Sequence, residues 1–503
     1  MNDNHSEKTA LLDDNPSQSS ESELQIPPQS TSIQKSTPPL YQSFSNDRAD
    51  EHDIETHPSE VLIVSTRGGG LGTQSSLVTI FSMWNTMMGT SLLTMPWAIS
   101  QAGFTCGIVL MIFIGGLSFY TTKQIVNFAA NYSSKKRETL EFSDICRAYL
   151  GPWGDRAAFA FSLCAIFGAL IVFYVLMSNF LYNTGRFVYE KTHVFNTTSF
   201  NGSGEVFCAA DALSEATEPD SDFFQYWNKK KTIPFYLLII IFPLMNIKSP
   251  TFFTKFNALG TISVIYVIVF TIYNSAKWGV NIDFSDSKSP HYVAQIEPSF
   301  PALSGTLTLA FFIHNCVLSI TRYQKHPKNN SRDVLIAYIL VGVTYSLIGF
   351  VFYLTYPMDK KSCIDEVLLE NFAPSDGMAF GVRLVFLFQL ITVLPLLVYI
   401  IRIQIMNFFF GKPYPSFLHI FLLNVFLVVM SVLFACFYPH VGGIIRFTGA
   451  LCGLTYVYAL PPIIYMKQRK KEGRMLTKTS MFLHCCIIGI GILNFIGQFI
   501  ISA

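Results

Sequence analysis

The residues most able to do chemistry gather in one apolar stretch, between Ser82 and Trp97, where Asn85, Thr86, Gly89, Thr90 and Ser91 interrupt a run of large apolar side chains. These residue types weaken a helix and carry hydrogen-bonding groups. Hydrocarbon offers backbone groups no partners, so a spanning helix stays continuous unless its break lines a cavity. A helix broken at mid-membrane presents N–H groups at one half-helix end and carbonyls at the other. The first can hold a carboxylate and the second a cation, the chemistry of a transporter site. The competing reading is a small-residue face on which a neighbouring helix packs.

Two further stretches have the same character. Between Gly305 and Cys316, the small polar residues Gly305, Thr306 and Thr308 stand in an apolar layer, followed by His314 and Asn315. An ionisable group at membrane depth is costly. His314 is therefore either a proton-carrying group or a hydrogen-bonded packing residue. Between Gln389 and Pro395, the proline frees a carbonyl one turn earlier, close to the Thr392 hydroxyl. That is the kind of oxygen set a sodium ion takes, or else a tolerated kink. Arg383 and Arg446 fall near helix ends, from which they can snorkel.

These stretches need membrane helices to position them, and the composition supplies them. Half of the 503 residues are hydrophobic and only 14% are charged, with mean hydropathy +0.38. A soluble domain carries about 25% charge. Apolar runs of about 20 residues recur along the chain, so the fold class expected is an all-α polytopic membrane protein. Eleven spans are expected, at about 77–102, 105–130, 153–186, 232–247, 256–276, 301–321, 333–356, 377–401, 415–437, 442–466 and 479–502. No basic stripe or base-reading module stands out, so nucleic acid is not an expected partner. No esterase, zinc-protease or phosphate-loop signature appears, and none of a channel filter, so neither an enzyme nor a channel is expected.

Residues 1–72 are rich in Ser, Pro, Gln, Asp and Glu and read as a disordered cytosolic tail, with residues 73–503 as the transporter domain. No apolar core follows basic residues at the start, so no cleaved signal peptide is expected. Glu7, Leu11 and Leu12 fit an acidic-dileucine sorting signal of lysosomal membrane proteins, and Tyr41 to Phe44 a tyrosine-based one. Basic residues concentrate in the loops that a cytosolic N-terminus would leave in the cytosol, such as Lys135 to Arg137 and Lys467 to Arg474. An odd span count then puts the C-terminus in the lumen. This topology sends the sequons at Asn196 and Asn201 to the luminal side, where they would be glycosylated. Of ten cysteines, only Cys208 and Cys363 fall in luminal loops, where an oxidising lumen favours their pairing.

Several motifs together resemble a known family. They are Asn85 to Ser91 followed by Pro96, Trp97 and Gln101 to Phe104, then Val175 to Leu181 with Asn183 to Gly185. Thr232 to Tyr236, Lys248 to Pro250, Leu307 to Cys316, and Cys436 to Pro439 with Gly442 to Arg446 complete the set. From about Ser75 onward the chain resembles the sodium-coupled neutral amino acid transporters of the amino acid/auxin permease superfamily, and most closely their lysosomal, arginine-sensing branch. The resemblance implies a LeuT-type fold, with spans 1–5 and 6–10 as inverted repeats, spans 1 and 6 broken, and span 11 appended. It implies that Asn85, Thr86, Met87, Met88, Gly89 and Thr90 hold the substrate, and that Asn85 and Thr392 hold co-transported sodium. The disulfide maps to Cys208 and Cys363.

The implied substrates are amino acids, arginine first, with leucine and other neutral amino acids beside it. The implied location is the lysosomal and late endosomal membrane. The branch also signals through its tail to the Rag–Ragulator machinery, using an aromatic-rich stretch. No counterpart of that stretch stands out in residues 1–72, so transport is the firmer expectation and arginine sensing the alternative. No acidic residue stands in the middle of span 1 or span 6 to meet a guanidinium.

Overall fold

A computed structural model describes residues 73–131, 140–192, 206, 208, 222–247 and 259–501. The sorting residues Glu7, Leu11 and Leu12 and the sequons at Asn196 and Asn201 lie outside the described residues, as does the tail. Within them the secondary structure is helical throughout, apart from isolated bridges.

The first expected span is two helices, α1 (Ser76–Met87) and α2 (Ser91–Ala102). Then follow α3 (Phe104–Asn131), α4 (Phe142–Leu150), α5 (Pro152–Thr192), the short α6 (Asp222–Tyr226), α7 (Ile233–Met245) and α8 (Leu259–Trp278). The sixth expected span is also interrupted, into α9 (Pro301–Ala310) and α10 (Val317–Thr321). The remainder is α11 (Asn330–Thr355), α12 (Gly377–Phe410), α13 (Phe417–Phe437), α14 (Val441–Gly453), α15 (Leu460–Lys471) and α16 (Lys478–Ile500). Eight helices among the described residues are long and apolar enough to cross a membrane, and α7 is apolar but shorter. The two interrupted pairs contain no single helix of spanning length.

Local sequence explains the boundaries. Ser75 caps α1 by accepting from the Val78 N–H, and Asp376 caps α12 from the Ala379 N–H at 2.7 Å. Gly411 ends α12 in the left-handed region, φ 66°. Helix α5 has 41 residues, so at 1.5 Å per residue it runs about 60 Å, twice the hydrocarbon thickness of about 30 Å. Between α14 and α15 the chain widens into a π-turn at Leu454–Ala459. Pro461 and Pro462 follow it and cannot donate to the carbonyls one turn back, which removes two rungs of the α ladder there.

The two arginines expected to snorkel do not. Arg383 is 1% exposed and donates to the carbonyls of Leu369, Phe372 and Ala373. Arg446 is also buried and donates to the Gln498 carbonyl. Each guanidinium finds a carbonyl partner inside the protein, although Arg383 Nε is buried without one.

Candidate functional site

Both interruptions face one cavity of about 380 Å³. All six residues read as substrate-binding, Asn85, Thr86, Met87, Met88, Gly89 and Thr90, line it. From the second interruption Phe312, Asn315 and Cys316 join the wall, from α8 Gly260, and from α12 Gln389.

The first break has a definite electrostatic form. The α1 ladder ends with Met88 N–H on the Trp84 carbonyl, and Gly89 N–H folds back onto the Met87 carbonyl at 2.8 Å. Helix α2 restarts at Ser91, and its N-cap Thr90 makes no side-chain capping bond. The positive end of α2 therefore meets the cavity without a side-chain acceptor, a setting that favours an anion. Carbonyls gather on the other side. The Tyr345 hydroxyl, wholly buried, donates to the Met87 carbonyl at 2.7 Å, with the Ala310 carbonyl 3.5 Å away. One proton thus stands between the terminal carbonyls of α1 and α9. Trp84 is fixed alongside by its indole N–H to the Thr344 hydroxyl, 3.1 Å.

The residues read as sodium ligands sit differently. Asn85 Oδ1 lies in the wall and accepts from the Thr261 hydroxyl at 3.1 Å. A Cβ at Gly260 would come within 3.0 Å of the Gln389 amide nitrogen and 3.3 Å of Asn85 Oδ1, so the absent side chain lets α1, α8 and α12 converge. Gln389 Oε1 is buried there with no hydrogen-bond partner. Thr392 is buried too, but its hydroxyl donates to the Gln389 carbonyl at 2.8 Å and is not part of the cavity wall. The structure thus brings Asn85 to Thr261 and Gln389, and leaves Thr392 one turn along α12.

The cavity extends from the breaks to Glu141, Ser143 and Asp155 at α4 and the start of α5, and to Gln404. Glu141 forms a capping box with Asp144, which fixes its place in the wall. Asp155 pairs with Arg147 at 2.6 Å. Neither carboxylate belongs to span 1 or span 6, the two spans whose middles hold no acid. Tyr345 is a further residue not expected from sequence, although Tyr338 and Tyr345 lie seven residues apart, on one face of a helix.

The loop between α11 and α12 is tied to its neighbours by covalent and charged links. Cys363 of that loop is disulfide-bonded to Cys208, with Cα atoms 4.4 Å apart. Glu366 accepts from the Gly442 N–H at 2.9 Å and pairs with His440. Glu370 takes Asn183 and Lys229, each at 2.8 Å. Burial opposes ionisation of Glu370, but Lys229 and then Arg383 outweigh it and hold its carboxyl below the usual carboxylate range. For Asp365, burial and then the Glu370 carboxylate act together and push its carboxyl up to about 7. No group of three or more metal-ligating side chains occurs among the described residues.

A family model described as transmembrane amino acid transporter protein matches residues 72–502. A Caenorhabditis elegans protein named sodium-coupled neutral amino acid transporter 9 homolog is 46% identical over 457 residues, covering 86% of this chain and 74% of its own. The Danio rerio protein named neutral amino acid transporter 9 is 41% identical over 476 residues, 89% of this chain and 86% of its own. Among solved structures, the crystal structure of MhsT in complex with L-phenylalanine superposes with a TM-score of 0.53 at 11% identity, covering 86% of this chain and 99% of that one. The last likeness is one of fold, the LeuT-type arrangement.

Proposed function

The chain belongs to the family of transmembrane amino acid transporter proteins, in the amino acid/auxin permease superfamily, and from that premise we propose that it moves amino acids out of the lysosome by alternating access, coupled to sodium, with arginine among its substrates. One observation carries the reading. The start of α2, without a side-chain cap, and the end of α1 line a single cavity, and the Tyr345 hydroxyl behind that wall joins the Met87 carbonyl to the Ala310 carbonyl of α9. An amino acid is a carboxylate and an ammonium on one carbon, and this wall offers a partner to each. The ammonium would compete with the Tyr345 hydroxyl for the Met87 and Ala310 carbonyls.

The cavity runs toward α4, where the charge bias puts the cytosol. The disulfide-tied loop between α11 and α12 lies on the side that the same bias gives to the lumen. In this reading the conformer is the inward-facing one, and rocking of the helices around the breaks exposes the site to the lumen. Sodium would sit by Asn85 with Thr392, with Thr261 and Gln389 near at hand. The relatives' printed names support sodium coupling and neutral substrates. Glu141 stands in the cavity wall as a carboxylate toward which a guanidinium would extend, whereas Asp155 beside it is already paired with Arg147. Sorting to lysosomes would rest on Glu7, Leu11 and Leu12.

The test is flux of radiolabelled arginine and leucine in proteoliposomes, with and without a sodium gradient, for wild type and Thr90→Trp. Sodium-driven flux abolished by the substitution supports the proposal. Arginine binding without flux, lost in the variant, would turn the assignment to a sensor acting through residues 1–72 on Rag–Ragulator. Flux that survives Thr90→Trp would remove the site.

A further inference from the structure

We propose that His314 is a positioning residue: a neutral imidazole of fixed tautomer that latches the unwound segment between α9 and α10 to α3 and α11, and so sets where Phe312, Asn315 and Cys316 stand in the cavity wall. The proposal rests on that cavity being the substrate site.

The segment from Phe311 to Cys316 has two sides. Phe312, Asn315 and Cys316 line the cavity, whereas His314 does not and is wholly buried. Its Nε2 lies 2.9 Å from the Thr121 hydroxyl and 3.1 Å from the Thr122 hydroxyl, both on α3. Thr122 is 2.7 Å from the Tyr338 hydroxyl on α11, and Tyr338 donates to the Phe311 carbonyl at 3.0 Å.

The protons of this circuit can be assigned from its end. A carbonyl only accepts, so Tyr338 spends its single proton on Phe311. Thr122 must then donate to Tyr338, and has only lone pairs left for the imidazole. Thr121 likewise donates to the carbonyls of Leu117 and Ser118. His314 therefore donates from Nε2, and Nδ1 is the bare nitrogen; it is buried with no hydrogen-bond partner. The chain His314, Thr122, Tyr338, Phe311 begins and ends on the same six-residue segment and passes through two other helices. It gives that segment, which has no helical ladder, a defined place.

The same assignment argues against proton carriage. A proton arriving at Nδ1 would meet no acceptor, and one leaving Nε2 would enter a chain that terminates in a carbonyl. The hydrogen-bonding groups that face the ring are the Thr121 and Thr122 hydroxyls and the Ser118 carbonyl, and Phe312 stacks near it at 5.8 Å.

The experiment compares His314→Ala with His314→Gln in the full chain, in proteoliposomes, with radiolabelled arginine and leucine between about pH 5 and pH 8. A glutamine amide can reach the same two hydroxyls but cannot titrate. Loss of these buried bonds should raise KM roughly tenfold in the alanine variant. Glutamine should restore KM and keep the wild-type pH profile. Glutamine as defective as alanine, with pH dependence lost, would overturn the proposal in favour of a proton carrier. Alanine at wild-type KM would overturn it outright. Should His314→Ala not fold, Tyr338→Phe and Thr122→Val break the same circuit, and wild-type KM in both would be equally decisive. Maleimide labelling of Cys316, read by peptide mass, needs no transport. Its rate should change in the alanine variant and return with glutamine, and an unchanged rate counts against the latch even if wild type carries neither amino acid.

Discussion

Replacing Gly449 by alanine would set a methyl group against the backbone of a half-helix that lines the site. Helix α14 passes so close to α9 that an ideal Cβ at Gly449 would fall inside contact distance of the Gly305 carbonyl, 2.8 Å from Leu309 Cβ and 3.0 Å from the Leu309 nitrogen. Carbon atoms rest about 3.5–4.0 Å apart. Clearing Leu309 Cβ alone therefore needs a displacement of about 1 Å. No flexible side-chain tip can absorb it, because two of the three obstacles are backbone. The alternatives are to lose α9–α14 packing, an overpacking cost of about 1–3 kcal/mol, or to shift α9 and the Ala310 carbonyl with it. A misplacement of about 1 Å in a positioning element can cost about 100-fold in rate. Gly449→Ala should thus lower the melting temperature in detergent and reduce kcat/KM for amino acid flux by about 10- to 100-fold. Gly489→Ala on α16 is the control, since nothing lies within 4 Å of its would-be Cβ. It should transport normally and melt no lower, since alanine is the better helix former. Wild-type flux and melting in Gly449→Ala would refute the claim that α9 and α14 touch through their backbones.

Two other outcomes follow from the loop between α11 and α12. Cys363→Ser opens a covalent link across 155 residues and should destabilise the protein by about 2–5 kcal/mol; thermal melts with and without reductant check it, and reductant should have no further effect on the variant. The Asp365 carboxyl titrates near 7 when folded, above its ordinary 3.8. Below about pH 4 it is protonated in folded and unfolded chains alike and costs nothing. Between about 4 and 7 the unfolded chain gains by ionising and stability is lost, fully so above about 7. Asp365→Asn should therefore melt above wild type at about pH 7.5 and level with it near pH 4. A gain of equal size at both pH values would mean that ionisation is not the cause.

The break in the first span was legible because its weak residues, Gly89 and Thr90, are the break. The second was legible only as a region. Sequence drew attention to Gly305, Thr306 and Thr308, yet α9 runs through all three and unwinds after Ala310. The threonines back-bond to the Ala302 and Ser304 carbonyls and stay helical. Gly305 is small for a different reason, since a Cβ there would stand 2.6 Å from the Arg446 carbonyl. Helix propensity is local, and it could not distinguish a residue chosen for unwinding from one chosen for close approach. The π-turn before Pro461 and Pro462 had a visible cause but was read as an ordinary span. Glu141 and Asp155 were hidden for a third reason: membership of a cavity wall depends on which helix ends the fold brings together, and no spacing along the chain encodes that.

The bond between Cys208 and Cys363 also fixes an order of events during synthesis. Four apolar segments separate the two cysteines: α7, α8, the interrupted α9–α10 pair and α11. The thiols can meet only if those segments amount to an even number of crossings. At about 5–20 residues per second, the sequence separation of 155 takes about 8–30 s to synthesise. For that interval Cys208 is exposed to the wrong partner. Oxidation of the correct pair then serves as a checkpoint, because a chain that has mis-threaded any one segment presents its second thiol on the wrong side of the bilayer and cannot close the ring.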